Sequence, residues 1–146
     1  MTGRSAGAGA LLLLAVAVTG CSEEPRICTL IGAETGITLH YRPSDYAAAG
    51  PGAMFRICTD TTHCVQGAED TTSLEGQLWV GLPDARGPDE VVVRLTVTSY
   101  IKEKKVLYDE SARVRLSKSQ PNGPGCSPTV WQASLRADPR DGLVRP

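Results

Sequence analysis

The chain has 146 residues, with 15 Lys and Arg against 16 Asp and Glu and a formal net charge of −1. Charges of the two signs are interspersed with no block of either, which excludes the electrostatic footprint of a nucleic-acid or other polyanion binder. Only 5% of the residues are aromatic, so a core has to be built from Val, Leu and Ile around Phe55, Tyr41, Tyr108, Trp79 and Trp131.

The first element is a targeting segment. Arg4 is the only charge ahead of the apolar run 8–18, which is long enough for a signal-peptide core and too short to span a bilayer. The run closes on Val18, Thr19, Gly20 and Cys21, an aliphatic residue, two small ones and a cysteine, which resembles the lipobox of bacterial prolipoproteins. The resemblance implies cleavage before Cys21 and a diacylglycerol on its sulfur, often with acylation of the freed amine. Stable anchoring follows from two or more chains at about 0.8 kcal/mol per buried methylene. Residues 1–20 are thus expected to be a signal peptide and 21–26 a lipidated tether, with residues 27–146 forming one domain on the extracytoplasmic face of the cell membrane. Removing the leader leaves 126 residues (146 minus 20), enough for one core and not for two.

Along that domain the apolar pattern has period two, and no helical stripe competes with it. Short strands are expected at 27–31, 37–42, 54–58, 64–66 and 77–82. The clearest strand is 91–98, where Val91, Val93, Leu95 and Val97 share one face while Arg94, Thr96 and Thr98 take the other. The charged turn 102–105 leads into 106–116, which places Val106, Tyr108, Ala112, Val114 and Leu116 on one face and leaves Glu110 out of place. A bulge at 109–111 would absorb that defect. The last strand, 129–137, puts Trp131, Ala133, Leu135 and Ala137 together. Between the strands lie the turn-rich stretches 43–52, 67–76, 83–88 and 121–128. About seven strands with no helices to cover a parallel sheet predict an all-β protein, an antiparallel β-sandwich of immunoglobulin-like or fibronectin-like type.

Five cysteines are present; with Cys21 set aside, Cys28, Cys58, Cys64 and Cys126 make an even number in an oxidising compartment and read as two disulfides. Three pairings are possible. Cys58 and Cys64 flank a polar turn and face each other across a hairpin, which favours the nested pairing with Cys28 to Cys126. Strand parity adds an orientation: all four fall at the end near the anchor, while 43–52, 67–76, 102–105 and a tail from Asp138 project away from it. The opening Ile27, Cys28, Thr29, Leu30, Ile31, Gly32, the Cys58 to Cys64 hairpin, and the late stretch from Gln120 to Gly125 and Cys126 resemble a set of small actinobacterial lipoproteins of unassigned function. That resemblance supports architecture and location and brings no catalytic residues.

Candidate chemistry is sparse. The chain has two histidines and neither Gly-x-Ser-x-Gly, His-Glu-x-x-His nor a phosphate-cradling glycine loop, so no enzyme, cofactor or catalytic residue is predicted. His40 falls on the polar face of its strand as an exposed side chain. His63 beside Cys64 suggests a soft metal, but the secretory context favours a disulfide, and no metal site is expected. Cys58 and Cys64 lack the Cys-x-x-Cys spacing of a thiol exchanger. The neighbouring acids Glu69 and Asp70, and Asp89 and Glu90, point to opposite faces of an extended chain and read as solvated turns. The stretch 102–105 reads as a charged hairpin tip, and Trp79 and Trp131 as core. Two functions are consistent with this: a membrane-anchored binding or accessory module for a protein or envelope polymer, which is the preferred expectation, or a small extracytoplasmic enzyme or ligand carrier with no recognisable motif.

Overall fold

A computed structural model describes residues 26–60, 63–83, 87, 89–100 and 105–146. The period-two runs become nine strands among these residues: β1 (Gly36–Tyr41), β2 (Gly52–Thr59), β3 (His63–Asp70), β4 (Gly76–Gly81), β5 (Glu90–Ser99), β6 (Val106–Arg115), β7 (Ser117–Ser119), β8 (Val130–Asp138) and β9 (Gly142–Val144). They form two sheets, β4-β1-β8-β7 with β9 added beside β8, and β3-β2-β5-β6, packed face to face. Strands β1, β2, β4, β5, β6 and β8 contribute their apolar residues to the space between them. Ile37, Leu39 and Tyr41 come from β1, Ala53, Phe55 and Ile57 from β2, and Val91, Val93, Leu95 and Val97 from β5, all of them buried.

The expected sandwich with two disulfides is therefore present, and its strand order is immunoglobulin-like. Strands β1 to β6 fall as B, C, C′, E, F and G do in a variable-type domain, with β4 beside β1 in one sheet and β3, β2, β5 and β6 in the other. One pair departs from the antiparallel expectation. Strand β8 lies parallel to β1, with Gly36 opposite Gln132 and His40 opposite Arg136, and so occupies the flank of β1 from the far end of the sequence. This follows from where the chain re-enters the first sheet. Strand β7 runs antiparallel to β8, so the turn after Ser119 sends β8 up from the end of the sandwich where β1 also starts.

Several expectations are corrected. Residues 27–31 form no strand: Leu30 is 100% exposed, and the backbone groups of Ile31 are satisfied by one side chain, Asn122, which accepts from Ile31 N at 2.8 Å and donates to Ile31 O at 3.0 Å. Without a sheet edge to dock on, the pattern Ile27, Thr29, Ile31 has nothing to pair with. The bulge falls at Leu107, not at 109–111, because Val97 pairs with Tyr108 while Thr98 pairs with Val106. Glu110 stays on the inward parity opposite Leu95 but is exposed, since β6 is an edge strand. The stretch 67–76 is not one loop, since β3 continues to Asp70, and the tail from Asp138 folds back as β9. The stretch 43–52 contains a 3₁₀ segment, Pro43–Ala49, that delivers Tyr46 into the core.

That tyrosine completes an aromatic cluster. Phe55 stacks on Tyr41 at 4.2 Å, Tyr46 meets Phe55 edge-on at 5.2 Å, and Tyr46 meets Tyr108 edge-on at 5.6 Å. With so few aromatics in the chain, concentrating four of them at one end of the core stiffens that end.

Both disulfides lie at the opposite end, here the proximal end, and the aromatic cluster marks the distal end. Cys58 and Cys64 are directly paired across β2 and β3, and Cys28 is bonded to Cys126. The proximal links Leu82 N to Thr35 O (2.9 Å) and Leu116 N to Asp89 O (3.0 Å) close this end. The distal end gathers the 3₁₀ segment, the turn 71–75, Tyr100 and the β8 to β9 turn. Ser44 N donates to Ser73 O (3.0 Å), Tyr100 N to Gly52 O (3.1 Å) and Tyr108 Oη to Asp138 O (3.3 Å). Strand parity thus placed the four bonded cysteines at one end and the stretches 43–52 and 71–75 at the other.

Candidate functional site

Two outward faces remain once the core is subtracted, and they differ in chemistry. The second sheet's outer face is closed by charge pairs: Arg94 Nε donates to Asp109 Oδ1 at 2.7 Å from β5 to β6, and Arg113 lies 3.8 Å from Glu90. Arg94 holds the Asp109 carboxyl below the usual range by this hydrogen bond. Such pairs solvate a surface and contribute little to stability.

The first sheet's outer face is mostly uncharged. The register sets its side chains in three rows across β4, β1 and β8: Gly81, Gly36 and Gln132; Trp79, Thr38 and Ser134; Gln77, His40 and Arg136. Trp79 is 40% exposed, which corrects the expectation that it is core; Trp131 does pack partly buried against the core. The reason is parity: Leu78, Val80 and Leu82 take the inward positions of β4, so Trp79 must face out. Its indole lies back over two glycines. A Cβ on Gly36 would come within 2.9 Å of the ring and 2.6 Å of Val80 O, and a Cβ on Gly81 within 2.9 Å of the ring. Only hydrogen at these two positions lets the ring lie against the sheet.

Among the described residues three concavities that border this face stand out. The largest, about 660 Å³, sits at its distal end and is lined by His40, Arg42, Asp45, Leu74, Gln77, Arg136 and Asp138 among others; Leu74 is 70% exposed at its rim. A hollow of about 480 Å³ lies beside the indole, bounded by Gly32, Ala33, Glu34 and Gln132, with Gln132 Nε2 donating to Glu34 O at 2.9 Å. A third, about 450 Å³, lies toward β7 and carries Arg115, Lys118 and Arg145 with Ser117 and Ser134. Arg145 is oriented by donating to Arg115 O at 2.7 Å.

The distal cleft is rigidly framed. Asp138 accepts from Arg140 N (2.9 Å) and Asp141 N (3.3 Å), which holds its carboxyl below the usual range and keeps it ionised in the β8 to β9 turn. Asp70 is lowered in the same way by the backbone and hydroxyl of Thr72, at 2.8 and 2.9 Å. Tyr41 donates to Glu69 Oε1 at 3.1 Å, so Glu69 supports a core tyrosine from β3 and is not a solvated turn residue. Burial, then Glu110 and Asp138, push the Tyr108 hydroxyl up to about 12, and burial raises that of Tyr46 further. Tyr46 Oη is buried with no hydrogen-bond partner among the described residues.

Of the residues singled out from sequence, His40 is exposed as expected but lines the distal cleft with Arg136. His63 lies at the other end, beside the Cys58–Cys64 bridge. Asp89 and Glu90 sit at the foot of β5. Cys21, the signal peptide and Lys102 to Lys104 lie outside the described residues. Thr38, Gln77, Ser134 and Arg136 were not singled out, although the alternation that buries their neighbours already puts them on one face. Among the described residues no cluster of three His, Cys, Asp or Glu could hold a metal ion, and no helix is long and apolar enough to cross a membrane. What the face can offer is ring stacking, neutral hydrogen bonds and, at its margins, charge. No protein-family model, curated protein or solved structure matches this chain.

Proposed function

We propose that this chain is a membrane-anchored extracytoplasmic lipoprotein that acts as a binding or accessory module for a protein or an envelope polymer. In this reading Cys21 carries the lipid, and the outer face of the first sheet with its distal cleft makes the contact. The observation that carries it is the polarity of the sandwich. Cys28, seven residues after Cys21, is bonded to Cys126 at one end, and the 660 Å³ cleft opens at the other. An extended tether of that length reaches at most about 25 Å, so the anchored end stays near the bilayer and the cleft faces away from it. The side chains in the cleft are suited to recognition: an exposed leucine, a histidine, two arginines and carboxylates, of which Asp138 is held by its turn.

Two measurements in cells test this. The variant Cys21→Ser is expected to lose incorporation of a fatty-acid probe and leave the membrane fraction; unchanged labelling would end the lipoprotein reading. A photo-crosslinking residue at Leu74 is expected to capture a discrete envelope component, and the same residue at Thr96, on the other sheet, is expected to capture none. Equal capture at both positions, or none at Leu74, would remove the cleft from the proposal.

A further inference from the structure

We propose that the outer face of the first sheet is a binding platform for a neutral polysaccharide chain, with the indole of Trp79 as its stacking surface. This deepens the binding reading and rests on it, replacing an unspecified partner with a chemical class.

The argument starts from what the chain gives up to place an indole there. Burying Trp79 would add one of the largest side chains available to a core short of aromatics, yet β4 faces it outward and clears the sheet beneath it with Gly36 and Gly81. A glycine loses more conformational entropy on folding than other residues and contributes no side-chain packing. The result is a flat indole lying on the sheet with 40% of the residue exposed. An aromatic ring carries negative charge density on its face. The polarised C–H bonds on the flat side of a pyranose meet such a face favourably, whereas a peptide loop or a second sheet would need a wider apolar surface around it.

The surroundings select a polyhydroxyl partner. Thr38 and Ser134 share the row of Trp79, Gln77 and His40 stand in the next, and Gln132 in the one before. Hydroxyls and amides both donate and accept, as sugar hydroxyls do. Among these outward positions on β4, β1 and β8 only Arg136 is a permanent cation, in contrast to the ion-paired outer face of the second sheet. The platform also has length. From the row of Gly81 to that of Gln77 is four residues, about 13 Å at the strand rise, and hollows continue it at both ends, past Ala33 and Glu34 below and into the distal cleft above. A polymer is accommodated along this line without a closed pocket.

The test is affinity electrophoresis of the purified full chain in detergent, through gels cast with mannan, amylopectin or arabinogalactan, with dextran sulfate as the anionic contrast. Retardation by at least one neutral polymer is expected, with about tenfold weaker binding for Trp79→Ala. Trp79→Tyr and, on the opposite sheet, Val92→Ala should retain it. Thr38→Ala with Gln77→Ala, which leaves the indole in place, should weaken binding while the melting temperature holds, so that loss of function does not depend on a variant that fails to fold. Retardation by dextran sulfate alone would overturn the platform and point to Arg115, Lys118 and Arg145, and retardation by neutral polymers regardless of Trp79 would overturn it as well. No retardation by any neutral polymer would also overturn it. Capture of a protein at Leu74 alongside that result would show that the glycan proposal has failed while the binding module stands.

Discussion

The disulfide from Cys28 to Cys126 closes a loop with a sequence separation of 98, and removing it with Cys28→Ser and Cys126→Ser gives a sharp test of how the proximal end is held. In the chain-entropy model a loop of that size restricts the unfolded chain by about 4.7 kcal/mol. That full value applies only if the folded state is unchanged without the bridge. Residues 26–33 form no strand, and the first firm attachments are Glu34 O to Gln132 and Thr35 to Leu82 and Trp131. Without the bridge the stretch can leave the sandwich, opening a native loop of about ten residues, six from Cys28 to Glu34 and four from Cys126 to Val130. The net loss is then 1.5RT ln(98/10), about 2 kcal/mol. Among the described residues Asn122 opposes the release, through its bonds to Thr29 and Ile31. The assay is urea unfolding of the double variant together with amide hydrogen exchange. A loss near 2 kcal/mol with protection at Ile31 abolished is expected, and a loss of 4 to 5 kcal/mol with Ile31 still protected would refute the fraying argument.

Other variants probe the core and the tyrosines. Phe55→Ala removes the ring on which Tyr41 and Tyr46 pack and should cost about 3 to 5 kcal/mol in chemical denaturation. Tyr46→Phe deletes a buried hydroxyl that has no partner among the described residues, so the melting temperature should hold or rise; a fall of several degrees would show that the hydroxyl is bonded. Tyr108, like Tyr41 and Tyr46, has its hydroxyl raised by burial above the unfolded value near 10. Folding therefore favours the protonated phenols. Their contribution is complete below pH 10 and is lost as pH rises through about 12, so alkaline unfolding should coincide with the tyrosinate absorbance change, and Tyr108→Phe should shift the midpoint upward. Gly36→Ala should lose about 1 to 3 kcal/mol and shift the Trp79 emission, because the new methyl collides with Val80 O and the indole.

How much was legible in the sequence can be read from two stretches of unequal clarity. In β5 the apolar parity was unbroken over four positions, and the structure buries all four. In residues 27–31 Ile27 and Ile31 share a parity with Thr29 between them, and the structure leaves the stretch unpaired, because alternation states which side chains would share a face and is silent on whether a neighbouring edge is available. The same limit explains β7 and β9, which are three residues each and exist only because β8 offers them an edge. Tyr46 was hidden for a different reason: a single apolar residue in a run of Pro, Ser, Asp and Ala has no period, and its burial depends on where the 3₁₀ segment lands.

Trp79 shows the opposite error, in which the information was present and composition overrode it. The run 77–82 reads Gln77, Leu78, Trp79, Val80, Gly81, Leu82, and period two places Leu78, Val80 and Leu82 together, which forces Trp79 to the other side with Gln77 and Gly81. Scarcity of aromatics argued for burying it, but one ring inward would have turned three aliphatic side chains out, and the summed area of three decides against one. The same parity, carried across the register to β1 and β8, already assigns Thr38, His40, Ser134 and Arg136 to the outer face. What no residue pattern supplied was the pairing of β8 with β1. Until that parallel contact is known, two polar half-faces lie far apart in the sequence with no reason to be joined, and the platform exists only after the last long strand returns beside the first.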